Sequence, residues 1–373
     1  MLFYIAILWL RLSFWLLQLG LRKMKYSDVY IGGMGYEIPP NVLKTDVMER
    51  QLAPVYGQLN IGPGKLQMMT GLRERRFWND NLRPSQAATK AAINALERSP
   101  ITIDQIGALV NCSVCRDYLE PSTATLIANN LNLRSDTLLF DVSNACLGFA
   151  TGLSVVANMI ELGQIEAGLV VSAEAASEVV ENTIKALVSN PSEELLLASI
   201  PSLTLGSGSV AYILCKREIA PRGLKFEGGI SFNDSKQSNL CLWGPDTGFP
   251  SQSNHTMVTD GKTLLETGTK LAANTWKRFV EITGHNQNSM DVIFSHQVGI
   301  LHRNVVFDAL GLDVNKDYTT FEYLGNTGSA AMPITMAIGI EKGAFKPGQK
   351  AVLMGIGSGL VCTMYSVHWE AGA

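Results

Sequence analysis

Cys146 stands where an apolar, strand-like run, TLLFDVSNA (137–145), gives way to a helical one, CLGFATGLSVVANMIELG (146–163). A thiol at the start of a helix meets the positive end of the dipole and N–H groups that lack an intrahelical partner. Both favour the thiolate, the nucleophilic form. The small residues around it leave room for a carbonyl. A free cysteine is also suited to be a small buried hydrophobe, so position alone leaves both readings open. His296 closes the strand-like VIFSH, where it either faces a site or is satisfied in the core. Asn326 lies in Leu324-Gly325-Asn326-Thr327-Gly328, a context for a turn or helix cap, or for an amide donor to a developing oxyanion. Gly355-Ile356-Gly357-Ser358-Gly359 is followed by another β-like stretch rather than a helix. It therefore reads as a tight turn with N–H groups aimed into a cavity, not as a dinucleotide loop. Cys112 and Cys115 form an isolated C-x-x-C without a second pair, which reads as two small residues near a strand end.

The elements that would position these residues alternate. IGALVNCSV (106–114) and AGLVVSAEA (167–175) read as buried strands, and 121–133 as a helix. In the later half MDVIFSHQ (290–297), YTTFEYLG (318–325) and AVLMGIGSG (351–359) are strand-like. Helical segments at 299–311 and after Asn326 separate them. This is an α/β pattern with a mainly parallel sheet. Gly206-Ser207-Gly208-Ser209-Val210 and Gly357-Ser358-Gly359-Leu360-Val361 each lead into a strand, which suggests a duplication with halves at 24–218 and 219–373. The polar, Gly- and Pro-punctuated stretch 233–258 reads as a surface loop or lid beside the site.

The chain has 373 residues, 46% hydrophobic and 17% charged, with net charge −3. That is ample for one large core or two medium ones, and it offers no basic field for nucleic acid. The six scattered cysteines suit a reducing, cytoplasmic setting better than a disulfide framework. Residues 2–21 are almost wholly apolar and are followed by Arg22, Lys23 and Lys25, but Arg11 interrupts them. Met24 opens a segment that already reads as a first strand. Residues 1–23 are therefore expected to be a dispensable extension or to precede the true start, with membrane contact through 2–21 as the alternative.

Six segments, TGLRERRF (70–77), FDVSNACLGF (140–149), SHQ (295–297), GNTGSAA (325–331), KPGQ (346–349) and GIGSGL (355–360), resemble, in order, those of the thiolase superfamily, ketoacyl-ACP synthase III type. The resemblance covers nearly everything from residue 24 onward. It implies a five-layered αβαβα thiolase fold in a homodimer, with no cofactor beyond the acyl-CoA substrate. It implies Cys146 as the acyl-carrying nucleophile and an oxyanion hole from the N–H groups of Cys146 and Ser358. His296 and Asn326 would hold the enolate oxygen of the second substrate.

NCSVCRDYLEPSTATLIANNL (111–131) and MVTDGKTLLETGTKLA (257–272) are most similar to the OleA group, thiolases of olefin biosynthesis that join two fatty acyl-CoA molecules without losing CO2. Glu120 falls where ordinary synthases have phenylalanine; OleA-type enzymes have a glutamate there that reaches into the partner subunit's site. Met69 and Lys65 replace an arginine and a tryptophan that hold the CoA nucleotide in ordinary synthases. Two plain acyl thioesters offer no CO2 to lose, so a base must take an α-proton. By its own context Glu120 is a surface carboxylate ahead of a helix; by the resemblance it is that base. The expected activity is condensation to a 2-alkyl-3-ketoacyl-CoA, possible downstream enzymes being the further partners. The rival is a decarboxylating 3-oxoacyl-ACP synthase using malonyl-ACP.

Overall fold

The computed structural model describes residues 23–79, 81–244 and 257–371. The apolar N-terminal segment and the middle of the 233–258 stretch lie outside the described residues. Among the described residues no helix is long and apolar enough to cross a membrane.

Nine strands carry the main sheet: β1 (Tyr30–Glu37), β2 (Ile106–Asn111), β3 (Leu138–Asp141), β4 (Ala167–Glu174), β5 (Gly208–Cys215), β6 (Leu224–Asn233), β7 (Val292–Ser295), β8 (Lys350–Gly357) and β9 (Val361–His368). Their spatial order is β7-β8-β9-β6-β1-β5-β4-β2-β3, and the short strand Met24–Lys25 adds to β6. The order contains one pattern twice. From its outer edge the first half runs β3-β2-β4-β5-β1, with β2 parallel to β3 and β4, and β5 antiparallel to both its neighbours. The second half runs β7-β8-β9-β6, with β7 parallel to β8 and β9 antiparallel to both its neighbours. A single parallel bridge between Ile293 and Asp317 occupies the place of the missing outer strand. The halves are joined where Tyr30 and Ile31 pair with Lys225 and Leu224.

YTTFEYLG (318–325), strand-like in sequence, is not a strand. It forms a short helix, Phe321–Leu324, after the Asp317 bridge. The buried Gln297 side-chain Oε1 accepts the N–H groups of Thr320 and Phe321 at 3.2 Å each, and these would otherwise serve a ladder.

Eight helices complete the layers: α1 (Pro84–Glu97), α2 (Thr123–Leu131), α3 (Gly148–Glu161), α4 (Ser177–Ser189), α5 (Glu193–Leu203), α6 (Gly261–Thr283), α7 (Ile300–Leu310) and α8 (Ala331–Glu341). In α8 nine consecutive residues from Ala331 to Gly339 are buried, so it has no solvent face and must lie inside. It shares a core with Phe149, Leu153 and Val156 of α3 and with inward side chains of both half-sheets, such as Val170 and Leu353. The alternate residues of the same strands point outward. Leu169 and Val171 pack on α1 and α2, and Val352 and Met354 pack with Phe279 of α6 and Phe307 of α7. The five layers are thus α, β, α, β, α.

The outer contact of the first half is close because it is made of small residues. Ala87, Ala88, Ala91, Ala92 and Ala95 form the buried stripe of α1, and Gly35 of β1 lies against it. A Cβ on Gly35 would come within 2.3 Å of the backbone at Ala91 and Ala95. Gly35→Ala should therefore force helix and sheet apart and destabilise the fold by about 1–3 kcal/mol or more, as overpacking does. Urea unfolding followed by circular dichroism checks this; an unchanged midpoint would show that α1 floats on the sheet.

Candidate active site

The site is built at the carboxyl ends of the parallel strands. Beyond β3 the chain makes a tight 3-10 turn, Ala145–Leu147, before α3 begins at Gly148. Cys146 sits in the middle of that turn, and Ala145 before it holds φ +46°, a left-handed conformation uncommon for a residue with a Cβ.

Two glycines of β8 let the turn approach. A Cβ on Gly355 would lie 2.6 Å from the Leu147 Cδ2 and 3.2 Å from the His296 Cβ. One on Gly357 would lie 3.1 Å from the Leu147 Cγ. The glycine run expected to be a phosphate-free turn is therefore the end of a strand plus a turn at Ser358–Leu360. Its first two glycines are there for close approach.

Cys146, His296, Asn326 and Ser358 all line one cavity of about 420 Å³. That is the size range of small-molecule sites. The rest of its wall is largely apolar, with Leu205, Trp243, Leu265, Val306, Phe307, Leu310, Met354 and Met364 among the contributors. The pair of short strands Cys241–Trp243 and Met257–Thr259 supplies Trp243 and Met257, so the flanks of the 233–258 stretch do border the site.

Burial pushes the Cys146 thiol up to about 12, with Cys241 and Glu174 adding in the same direction. The backbone N–H groups of Cys146 and Ser358 both reach the sulfur and pull the other way. Desolvation therefore outweighs the helix terminus: the resting group is a thiol, not the thiolate that its sequence position favours. The same two N–H groups can donate to the oxygen of a thioester carbonyl formed on that sulfur.

His296 follows the last residue of β7 and is tied by its backbone N–H to the Met354 oxygen at 2.8 Å. Burial, and next the nearby His302, hold it down at about 4, so its imidazole is neutral. Its neighbours are braced. Ser295 donates from N and Oγ to Asp317 at 3.2 and 3.0 Å, and Arg303 Nε donates to Asp317 at 2.7 Å. Asn326 is pinned through its backbone to Thr204 and Gly206, each at 2.9 Å. Its Oδ1 accepts the Gly328 N–H at 3.0 Å, which leaves the amide N–H2 end for a ligand.

Glu120 is not in this cavity. It is exposed on the Cys115–Ser122 loop, next to Leu119, which is 76% exposed, and Tyr118, which is 45% exposed. Asp117 fixes the loop to Ser85 N and Oγ at 2.8 and 2.6 Å. The helix-start reading of this segment is also present, since Ser122 caps α2. Cys112 and Cys115 are turned to the backbone of Val110 and Ala175. No cluster of three or more potential metal ligands occurs among the described residues.

Sequence reasoning passed over His302, Asp317 with Arg303, and the buried Glu174. His302 was visible only as the second histidine of H-x5-H, a spacing that the helical pattern of 299–311 could have placed on the site side.

Models of the 3-oxoacyl-[acyl-carrier-protein] synthase III family match residues 140–190, and its C-terminal model matches residues 280–369. The acyl-CoA:acyl-CoA alkyltransferase of Shewanella oneidensis is 37% identical over 349 residues, 93% of this chain and all of the relative. A crystal structure of cerulenin-bound OleA from Xanthomonas campestris superposes with a TM-score of 0.88 at 36% identity, covering 93% of this chain and 98% of that one. The β-ketoacyl-ACP synthase III of Clostridium tetani is 25% identical over 354 residues, covering 93% of this chain and all of that relative.

The buried imidazole gives a direct check. His296 is expected to titrate near 4, well below the ordinary value of about 6.5. Because the lowered pKa belongs to the folded state, the unfolded chain takes the proton first as pH falls. The native state should lose stability from about pH 6.5 down through 4. Histidine-selective NMR of the folded protein reads the midpoint, and one between about 6 and 7 would contradict the burial described.

The thiolase layers, the six ordered segments and the full-length identity make this chain a thiolase-superfamily acyltransferase of the 3-oxoacyl-ACP synthase III type, and it belongs to the family of acyl-CoA:acyl-CoA alkyltransferases.

Proposed function

We propose that this chain condenses two fatty acyl-CoA molecules head to head, without decarboxylation, to a 2-alkyl-3-ketoacyl-CoA. The observation that carries this reading is the 37% identity across the whole of a relative named acyl-CoA:acyl-CoA alkyltransferase, well above the 25% identity to a β-ketoacyl-ACP synthase III. The apolar cavity around Cys146 supports it, because an alkyl chain gains from leaving water there.

In the first half-reaction the Cys146 sulfur attacks the thioester carbonyl of one acyl-CoA. Its proton passes to the departing CoA thiolate, and the N–H groups of Cys146 and Ser358 hold the oxyanion between. In the second, a base removes an α-proton from another acyl-CoA. His296 and Asn326 stabilise the enolate through N–H donors. The α-carbon then attacks the acyl-Cys146 carbonyl, the C–S bond breaks, and the sulfur recovers a proton.

The base is Glu120 of a second copy in a homodimer. Its exposed place on a braced loop, flanked by outward Tyr118 and Leu119, suits insertion into a neighbouring subunit. Delivery from outside also keeps the carboxylate's charge out of the apolar cavity until the dimer forms.

Three measurements test this. Incubation with myristoyl-CoA alone should yield the condensed product by mass spectrometry, with no CO2; dependence on malonyl-ACP would sink the reading. Cys146→Ala should form no acyl-enzyme by intact mass. Glu120→Gln should acylate Cys146 at near wild-type rate yet condense about 100- to 10,000-fold more slowly, the cost of losing a general base. Normal condensation by that variant would exclude Glu120 as the base.

A further inference from the structure

Arg75 lies on the short strand Glu74–Phe77, which pairs with Asn41–Lys44, and it is 0% exposed. An arginine keeps its charge in a folded protein. Among the described residues no carboxylate pairs with this one. Its guanidinium turns to uncharged groups instead. Nη1 donates to the Leu203 carbonyl oxygen and lies 2.9 Å from the Met48 sulfur, and Nη2 donates to Thr45 Oγ1 at 3.3 Å. A buried cation without a counter-ion is costly to keep, and such a group calls for a reason.

Its surroundings supply one. Leu203 ends α5, and the residues after it run beside Asn326. The Asn326 N–H donates to the Thr204 oxygen and the Gly206 N–H to the Asn326 oxygen, each at 2.9 Å. Between them Leu205 forms a parallel bridge with Asn326. Two glycines bring this bridge down on the stem of Arg75. A Cβ on Gly206 would lie 2.1 Å from the Leu324 oxygen and 3.5 Å from the Arg75 Cβ. One on Gly325, which holds φ +72°, would lie 2.7 Å from the Thr204 oxygen and 3.4 Å from the Arg75 Cβ. The backbone on either side of Arg75 adds two ties. Arg73 N–H donates to the Glu322 oxygen at 2.9 Å, and the Arg76 oxygen accepts the Ser207 N–H at 2.8 Å. Leu205 and Asn326 line the cavity, and Arg75 does not.

We propose that Arg75 is a positioning residue for the enolate half of the condensation: its guanidinium holds Leu203, its stem supports Gly206 and Gly325, and together they set the Leu205–Asn326 bridge that aims the Asn326 amide. The idea rests on the condensing function proposed above. Arginine suits the task because its planar fork carries donors to two acceptors at once, which a lysine ammonium on a flexible stem does not reproduce. Cys146 and Ser358, which serve the acylation step, stand on the 145–147 turn and beyond β8. A fault at Arg75 should therefore reach the second half-reaction and spare the first.

The test compares Arg75→Lys and Arg75→Met with wild type in each half-reaction. Acylation of Cys146 by myristoyl-CoA is followed by intact mass, and condensation by product formation. Arg75→Lys should acylate within about threefold of wild type, while kcat for condensation falls at least about tenfold with KM within about threefold, the pattern of an interaction that matters in the transition state. Arg75→Met should lose more of the same step. In the Asn326→Ala background the Arg75→Lys change should cost less than about twofold of the residual condensation, because both act through one amide. A merely structural loosening would slow both half-reactions together and add its full cost to Asn326→Ala.

Equal losses in the two half-reactions, or wild-type condensation in Arg75→Lys, would overturn the proposal. If neither Arg75 variant folds by circular dichroism, Thr45→Val, which removes one acceptor of the guanidinium, decides it: a loss confined to condensation supports the proposal and unchanged condensation sinks it. A readout without turnover is the side-chain amide signal of Asn326 in protein carrying 15N-asparagine, assigned by its loss in Asn326→Ala. It should move in Arg75→Lys, and an unmoved signal would overturn the proposal. Should the wild-type enzyme fail to condense acyl-CoA at all, the functional reading fails, while that signal still reports whether Arg75 places Asn326.

Discussion

Desolvation governs this site. The cavity that suits an alkyl chain also surrounds Cys146 and His296, and it holds both in their neutral forms, one far above its ordinary pKa and the other below it. A thiolate–imidazolium pair would have to be formed against that environment. What the site offers instead is a set of N–H donors fixed before any charge exists: two backbone amides at the sulfur, and the Asn326 amide and the His296 ring on the cavity wall. Such donors are strong because water is excluded, and they need no reorganisation when charge develops.

The fold sets up that geometry through its duplication. Each half runs its parallel strands in the same direction and leaves their carboxyl ends open, and ligands of α/β sheets gather at such ends. Cys146 comes from the first half; His296, Asn326 and Ser358 come from the second. They meet because the Ala145–Leu147 turn that opens α3 packs on the Gly328–Ala330 turn that opens α8 and on β8. Glycine at 355 and 357 then lets β8 come close enough to close the gap.

Around these donors lies a shell of buried polar residues whose task is placement. Asp317, with its carboxyl raised to about 6 by burial and opposed by Arg303, ties Ser295 to the outer bridge of the second half. Gln297 donates to the Ser295 oxygen at 2.8 Å and accepts from the 320–321 backbone. His296 is thereby held from both sides. The Glu174 carboxyl, which meets the N–H groups of Val114, Cys115 and Ser329 and the Ser329 hydroxyl, does the corresponding work for the turn after Asn326. Buried networks of this kind are stabilising only when every member is satisfied, and they make a local structure unique.

Much of this protein was legible in its residues. The alternation of apolar runs with helical spacing showed α/β layers, and the repeated Gly/Ser turns led into β5 and β9, which hold equivalent places in the two halves. Cys146, His296 and Asn326 stood out because each sits at a junction of elements, a local property that the chain itself records. The tertiary structure decided the rest. YTTFEYLG has the composition of a strand, yet Gln297 captures the N–H groups a strand would need. The helix start at Cys146 suggested a thiolate, yet burial by residues distant in the chain outweighs the dipole. Glu174 looked like the end of a strand and nothing more, because its four donors come from segments about 60 and 155 positions away. Periodicity and turn chemistry act between neighbours and can be read along a sequence. Desolvation and hydrogen-bond networks depend on which distant segments pack together, and only the folded chain brings them into contact.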